Sequence, residues 1–341
     1  MDVFEWTRAL VDIESVTGNE RAVGEFLLAE LGAVAQTTGG RVEPMEVEPG
    51  RFNVLATWGR PSVTMSTHMD TVPPFFPSSE DSEYIWGRGS CDAKGIIAAM
   101  IGAAKQLLAE GRREFGLLFV VGEEKDSRGA HIAAQLPRSS RHLINGEPTE
   151  NRLALGSKGA LRCQIVAQGR AAHSAYPELG SSAIETLLDV LQDIRKAALP
   201  SDSLLGKTTL NIGTIAGGRA PNVIADHAEA EVMVRLVGDA MPVREAIAEA
   251  VRGRATVHEL LHTPALRLEA VDGLPTTVVA FTTDIPNFAG AWGKPLLIGP
   301  GTIHLAHTAE ERIPKRELLD AVQIYAALAR KLGEGDRGVL A

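Results

Sequence analysis

Five stretches of the chain place an imidazole or a carboxylate where an apolar run gives way to a loop. His68-Met69-Asp70 closes the run Val63–Thr67. Asp92 lies in the glycine-rich turn Gly87-Arg88-Gly89-Ser90-Cys91-Asp92-Ala93-Lys94-Gly95, which opens a helical pattern. Glu123 and Glu124 end the apolar run Leu117–Gly122, and Glu147 follows Asn145-Gly146. His304 and His307 follow the turn Gly299-Pro300-Gly301. Singly, each has an ordinary structural explanation: a histidine at a strand end, a helix-capping aspartate, a solvated acidic loop. Together they form a set of hard and borderline metal ligands.

The chemistry of the set follows from its residue types. Two adjacent carboxylates at the end of a buried strand are costly unless something satisfies them. Successive strand side chains point oppositely, so Glu123 and Glu124 divide naturally into one ligand and one general base. Asp70 is placed to accept the second imidazole N–H of His68 and fix its tautomer. The backbone N–H groups of the turn at Gly301 suit a carboxylate, whereas His304 has no evident role. The ligand set is then His68, Asp92, Glu124, Glu147 and His307. One ion leaves carboxylates unpaired. Two zinc ions sharing an aspartate take two further ligands each and leave room for water. Lys94-Gly95 is not a phosphate loop, because the preceding glycines have the wrong spacing.

The elements that must position these residues are legible as periodicities. Helices are predicted over Asp2–Glu14, from Thr17 with Glu20 closing a capping box, and over Ala93–Ala109. Strands are predicted at Asn53–Trp58, Val63–Thr67, Leu117–Gly122 and His142–Gly146. Strand and helix alternate, which predicts an α/β fold with a mainly parallel sheet whose strand ends carry the site. After Leu155 the order becomes strand Ala160–Gln168, helix Ser181–Ala197, strands Thr208–Ile215 and Ala228–Leu236, helix Val243–Val251 and strand Thr256–Leu261. That β-α-β-β-α-β order predicts an inserted ferredoxin-like α+β domain at 157–265, flanked by a discontinuous domain of 1–156 plus 266–341. The latter ends with a strand at Leu296–Ile298, a helix over Pro314–Leu332 with proline in its first turn, and a fraying tail from Gly333 to Ala341.

Composition bounds the function. The 341 residues exceed one ordinary domain of ~150 residues, so two are expected. A hydrophobic content of 45% excludes a disordered chain. The formal net charge of −9 disfavours nucleic acid and anionic membranes, both of which need basic patches. Cys91 and Cys163 make no disulfide framework and fit a reducing compartment. The N-terminus lacks the pattern of a signal peptide, and no apolar run approaches the ~20 residues needed to span a bilayer. A cytoplasmic protein is expected.

The motifs themselves resemble those of the co-catalytic zinc peptidases, the family that includes acetylornithine deacetylase, succinyl-diaminopimelate desuccinylase, aminoacylase and glutamate carboxypeptidase. The matching stretches are Ser66–Val72, Gly87–Gly95, Val121–Glu124, Gly146–Thr149 and Gly299–Thr308, together with Gly169–Pro177, Pro221–Ile224 and Arg235. The resemblance implies that Asp92 bridges two metal ions, with His68 and Glu147 completing one site and Glu124 and His307 the other. It implies Glu123 as general base, Asp70 as the partner of His68, and a non-proline cis peptide after Asp92. It makes the inserted domain a lid and dimerisation domain. His173 would reach across a homodimer to stabilise the oxyanion, and Asn222 and Arg235 would bind the substrate's carboxylate or that oxyanion. The ions would be zinc, with cobalt or manganese accepted by the same donors.

For the substrate, the stretch Phe281–Pro286 and the loop after it look most like acetylornithine deacetylases. An N-acyl amino acid is therefore expected, N-acetylornithine first, with Asp284 facing a side-chain amine. Desuccinylases, amino-group-carrier hydrolases and zinc carboxypeptidases or dipeptidases share the metal motifs. A catalytically silent binding protein on the same fold is the alternative of another class. Retention of all five ligands and Glu123 argues against it.

Overall fold

The computed structural model describes residues 1–334 and divides into two compact units. The first comprises Met1–Leu155, Leu268–Thr277 and the described chain from Thr283 on; the second comprises Gly156–Arg267 and Val278–Thr282. The small segment Val278–Thr282 thus groups with the second unit, although the sequence reading placed it in the first.

The first unit is built on a six-stranded sheet. Its strands run in the order Gly40–Glu48, Arg51–Trp58, Phe115–Val120, Val63–His68, His142–Asn145 and Lys294–Leu297. The first two pairings are antiparallel and the remaining three parallel. The register sets His68 opposite Val120, Ser66 opposite Asn145 and Asn145 opposite Leu297. The four parallel strands therefore finish near one level, and the loops after them share one edge of the sheet, where sites form in open α/β sheets.

Every residue of Val63–His68 and Phe115–Val120 is buried. Leu117 and Phe119 enter the core shared with helices Val3–Val11, Arg21–Thr38, Lys94–Ala109 and Lys315–Glu334. Leu118 and Val120 point the other way, into a smaller cluster with Ala130, Ala133, Phe288 and Trp292. Both sheet faces are covered, which is why the strand reads as an unbroken apolar run.

Several local expectations change. The capping box at the N-terminus belongs to Asp2 and Glu5, which cap helix Val3–Val11. Helix Arg21–Thr38 begins after Glu20 with no side-chain cap. Glu20 is buried and instead takes two hydrogen bonds from Arg51, while Thr17 bonds elsewhere. Strand Gly40–Glu48 was not anticipated, because Pro44 breaks the strand pattern; it lies at the sheet edge, where a missing N–H is tolerated. Pro314 ends the short strand Arg312–Pro314 and precedes the closing helix, so it is not in the first turn. That helix runs through Gly333 to Glu334, which are helical and not frayed; the rest of the expected tail, 335–341, lies outside the described residues.

The second unit has a four-stranded antiparallel sheet in the order Thr209–Gly217, His227–Leu236, Gly159–Gln168 and Thr256–Thr263. Helices Ala183–Lys196 and Met241–Val251 pack on one face through Leu187, Val190, Val243 and Ile247. The β-α-β-β-α-β order and this strand order are those of a ferredoxin-like fold.

Leu117→Ala is expected to destabilise the first unit by about 2–5 kcal/mol, because the methyls removed lie in a fully packed core. Urea unfolding reads this as a lowered midpoint. An unchanged midpoint would contradict burial of the strand on both faces.

Candidate metal centre

The loop after Phe115–Val120 is shaped around Asp70. Its Oδ1 accepts the backbone N–H of Gly122 at 3.0 Å and of Glu123 at 3.1 Å. Its Oδ2 accepts the N–H of Glu124 at 3.2 Å and the Thr17 hydroxyl at 2.8 Å. Gly122 makes this turn with φ +81°, and a Cβ there would lie 2.8 Å from Asp126 Oδ1. Asp70 is fully buried. Burial alone would raise its pKa, but the bonds from His68, Thr17 and the loop bring it below the ordinary carboxylate value. Its expected role is therefore enlarged. The ring Nδ1 of His68 donates to the backbone carbonyl of Asp70 at 3.0 Å, with the carboxylate at 3.5 Å. The carboxylate's shortest bonds are to the loop and Thr17.

His68 Nε2 then faces Asp92 Oδ1 at 3.0 Å. On the other side of Asp92, Oδ2 lies 3.4 Å from His307 Nε2, which also meets Glu124 Oε1 at 3.0 Å. Asp92 thus stands between the two imidazoles. The peptide after it is cis. His307 has φ +64°, a left-handed backbone that costs a residue with a Cβ on the order of 1 kcal/mol. The structure sustains that cost while His307 faces Asp92 and Glu124. Glu147 follows strand His142–Asn145, is buried, and leaves Oε1 with no hydrogen-bond partner.

The electrostatics are those of crowded acids. Burial would raise Asp92, yet hydrogen bonds from His307 and His68 hold it well below the ordinary carboxylate range. Asp92 and Glu124 push His307 up to about 10. Burial works to lower His68, but its bonds to Asp70 and Asp92 and the charge of Glu147 outweigh it and raise His68 well above its usual value. Glu123 is raised well above its usual value by burial first and by the charge of Glu147 second. Glu147 is also raised well above its usual value by burial, with His68 opposing and Asp92, Asp284 and Glu124 adding to the rise. Glu124 is raised by burial, partly offset by His307.

This donor set fits a divalent cation. His68, Asp92 and Glu124 bring ligand atoms within 4.8 Å of one another, His307 contacts two of the three, and the orphaned Glu147 oxygen lacks the partner that a buried acid requires. Imidazole nitrogen with carboxylate oxygen suits zinc, cobalt or manganese.

Two expected substrate contacts, Gly301 and Asp284, look different in the structure, while His304 lies where expected, on the loop surface. The N–H of Gly301 is taken by Glu317 Oε2 at 2.7 Å, so it is not free to hold a substrate carboxylate; the sequence pattern gave no sign of a partner sixteen residues away. Asp284 is 1% exposed and offers no face to a substrate amine as placed; neither carboxylate oxygen has a hydrogen-bond partner, and burial pushes it up to about 6. His304 is exposed on its loop.

In the second unit, His173 and Asn222 occupy neighbouring exposed loops. A β-bridge joins His173 to Val223, and the N–H of Ser174 donates to the Asn222 carbonyl at 3.0 Å. His173 Nδ1 accepts the N–H of Ala175 at 3.2 Å, which leaves Nε2 to carry the ring proton. Arg235 is half-buried on strand His227–Leu236, and among the described residues its guanidinium has no hydrogen-bond or ion-pair partner. An ordinary surface ion pair therefore does not account for it.

The sequence pattern of peptidase family M20/M25/M40 matches residues 64–331. A peptidase M20 domain-containing protein of Schizosaccharomyces pombe is 40% identical over 331 residues, spanning 93% of this chain and 82% of its own. A probable carboxypeptidase of Aspergillus oryzae is 38% identical over 370 residues, spanning 94% and 85%. The solved structure of the aminopeptidase PepT from Bacillus cereus shares the fold, with a TM-score of 0.79 at 20% identity, covering 97% of this chain and 98% of that one.

Each imidazole must shed a proton to become a ligand, so metal binding should release protons and strengthen as pH rises. The expected slope is about tenfold per pH unit for each proton displaced. Cobalt titration calorimetry at pH 6 and pH 8, in buffers of different ionisation enthalpy, measures both effects. Affinity independent of pH would remove His68 and His307 from the ligand set.

Proposed function

The chain belongs to peptidase family M20/M25/M40, and on that footing we propose that it is a metal-dependent exopeptidase of the carboxypeptidase or dipeptidase kind. The bond cleaved is the amide whose nitrogen belongs to an amino acid with a free α-carboxylate. The observation that carries the reading is the acid and imidazole cluster around Glu123. The backbone of Glu123 is fixed by Asp70, while its carboxyl receives no hydrogen bond from any described residue. Relatives described as probable carboxypeptidases, at 38% identity over nearly the whole chain, favour this over the N-acetylornithine deacetylase suggested by the sequence. The two reactions break the same kind of bond and differ only in what lies on its acyl side.

In this proposal Asp92, His68 and Glu147 would hold one divalent ion, and Asp92, Glu124 and His307 would hold a second. The ions, when bound, supply Lewis acidity at the attacked carbonyl and activate water. Glu123 takes the proton from water and returns it to the departing amine. A carboxyl raised by burial suits a group that must both accept and give. As the family resemblance implies, His173 of a second copy in a homodimer, through Nε2–H, and Asn222 would donate to the oxygen on which negative charge grows. Arg235, lacking a protein partner, grips the substrate's carboxylate with two parallel hydrogen bonds. Asp284 has no place in this scheme as a substrate contact, because it is buried.

Two further expectations are kept as proposals. Strand Thr209–Gly217 is an exposed sheet edge, which supports pairing of two copies through the second unit; a monomer in sedimentation would remove it. Free, buried Cys91 and Cys163 accord with a cytoplasmic setting, and no helix among the described residues is long and apolar enough to cross a membrane. Localisation of a tagged chain to another compartment would remove that assignment.

The zinc- or cobalt-loaded protein, given dipeptides, longer peptides with free or amidated C-termini, N-acetylornithine and N-succinyl-diaminopimelate, should release the C-terminal amino acid from free-carboxylate peptides only. Cleavage of N-acyl amino acids with peptides untouched would replace this reading by the deacylase. Arg235→Ala should raise KM for the free acids. Glu123→Gln should keep the metal content and lose about 10²–10⁴-fold in kcat; an active Glu123→Gln would show the base to be elsewhere.

A further inference from the structure

Four residues beyond His307, Glu311 is buried deep in the first unit, with 1% exposure, and its two carboxylate oxygens divide their work. Oε1 accepts three backbone N–H groups from one turn: Gly89 at 2.9 Å, Cys91 at 3.2 Å and Asp92 at 3.1 Å. Oε2 receives Arg88 Nη1 at 2.5 Å. Arg88 is itself buried, donates Nε to the Pro74 carbonyl at 3.2 Å and lies over the Phe76 ring at 5.0 Å. The backbone joins in as well, since the N–H of Gly87 donates to the Glu311 carbonyl at 3.1 Å.

We propose that Glu311 is a positioning residue for Asp92, tying the turn that carries Asp92 to the segment that carries His307. The proposal rests on the reading of Asp92 and His307 as metal ligands. Its reason is geometric. Asp92 must present one oxygen to each side, and its side chain sits at the end of a turn that no regular hydrogen-bond ladder restrains. A single buried oxygen collecting the N–H of Asp92 and of the residues one and three positions before it fixes where that side chain starts. Because Glu311 and His307 share one short segment, the same contact sets the spacing between the two ligands. Glu311 touches neither substrate nor ion in this scheme. It acts through Asp92, and the Arg88 contact keeps its second oxygen paired.

The test separates positioning from mere stability. In Glu311→Gln, a neutral amide is a weaker acceptor, and its NH₂ donor must face either Arg88 or the three backbone N–H groups. The folded variant is expected to bind cobalt about tenfold more weakly against a competing chelator, as outer partners of metal ligands commonly do when replaced. The visible spectrum of its cobalt form should shift, and kcat should fall with KM unchanged. Arg88→Met combined with Glu311→Gln removes the buried unpaired cation and should recover most of the lost Tm without recovering cobalt affinity or the spectrum. Glu311→Gln with the original affinity and spectrum, or a double variant in which both return together with Tm, would overturn the proposal. Asp92→Ala is the control. If it binds cobalt like the unsubstituted chain, the ligand reading falls and takes the Glu311 proposal with it. If it loses binding while Glu311→Gln is indifferent, only the proposal falls.

Discussion

A carboxylate removed from water must be given donors, and much of the first unit is arranged to supply them. Asp70 is met by three consecutive backbone N–H groups and a hydroxyl, and Glu311 by three N–H groups and a guanidinium. In each case the satisfied acid is not a proposed ligand; it holds the loop from which one projects. Glu147 is the contrast, a buried acid with an oxygen left over. Fully bonded acids build the frame, and the spare oxygen of Glu147 is where a cation is wanted.

The sheet makes that arrangement affordable. Parallel strands covered on both faces need no polar surface along their length, so their polar residues collect after the last buried pair. His68, Glu123, Glu124 and Glu147 all lie within a few residues of a strand end, and Asp92 stands just before the buried helix Lys94–Ala109. The loops then interlock. Thr149 bonds to Gly299 in both directions, joining the Glu147 loop to the turn that leads to His307.

This explains which features the sequence discloses. Strand ends were readable because an apolar run stops abruptly at a charged residue, and the metal-ligand candidates were found by that signal. The β-α-β-β-α-β order was readable because amphipathic periods survive in isolation. Partners distant in sequence were not. Thr17 looked like a helix cap and is instead a donor to Asp70, 53 residues away. Gly301 looked like an open anion site and is closed by Glu317. Glu311 was visible only as half of an acidic pair, since its role depends on a turn some 220 residues earlier. Strand Gly40–Glu48 was hidden by Pro44, which is harmless only because the strand lies at an edge. Local pattern reports what a segment buries; it does not report whom a polar group meets.

The order in which the chain leaves the ribosome gives the discontinuous first unit a further meaning. Gly156–Arg267 is one uninterrupted stretch that holds the whole four-stranded sheet and its core, so this body of the second unit is available to fold before Val278–Thr282 joins it. The first unit begins earlier and finishes later. Its sheet still lacks Lys294–Leu297, its core lacks the helix from Lys315, and Asp92 lacks both His307 and Glu311 until nearly the whole chain has been made. A nascent chain that stalls between Thr282 and His307 carries every segment of the second unit and four of the five candidate ligands, but no complete cluster.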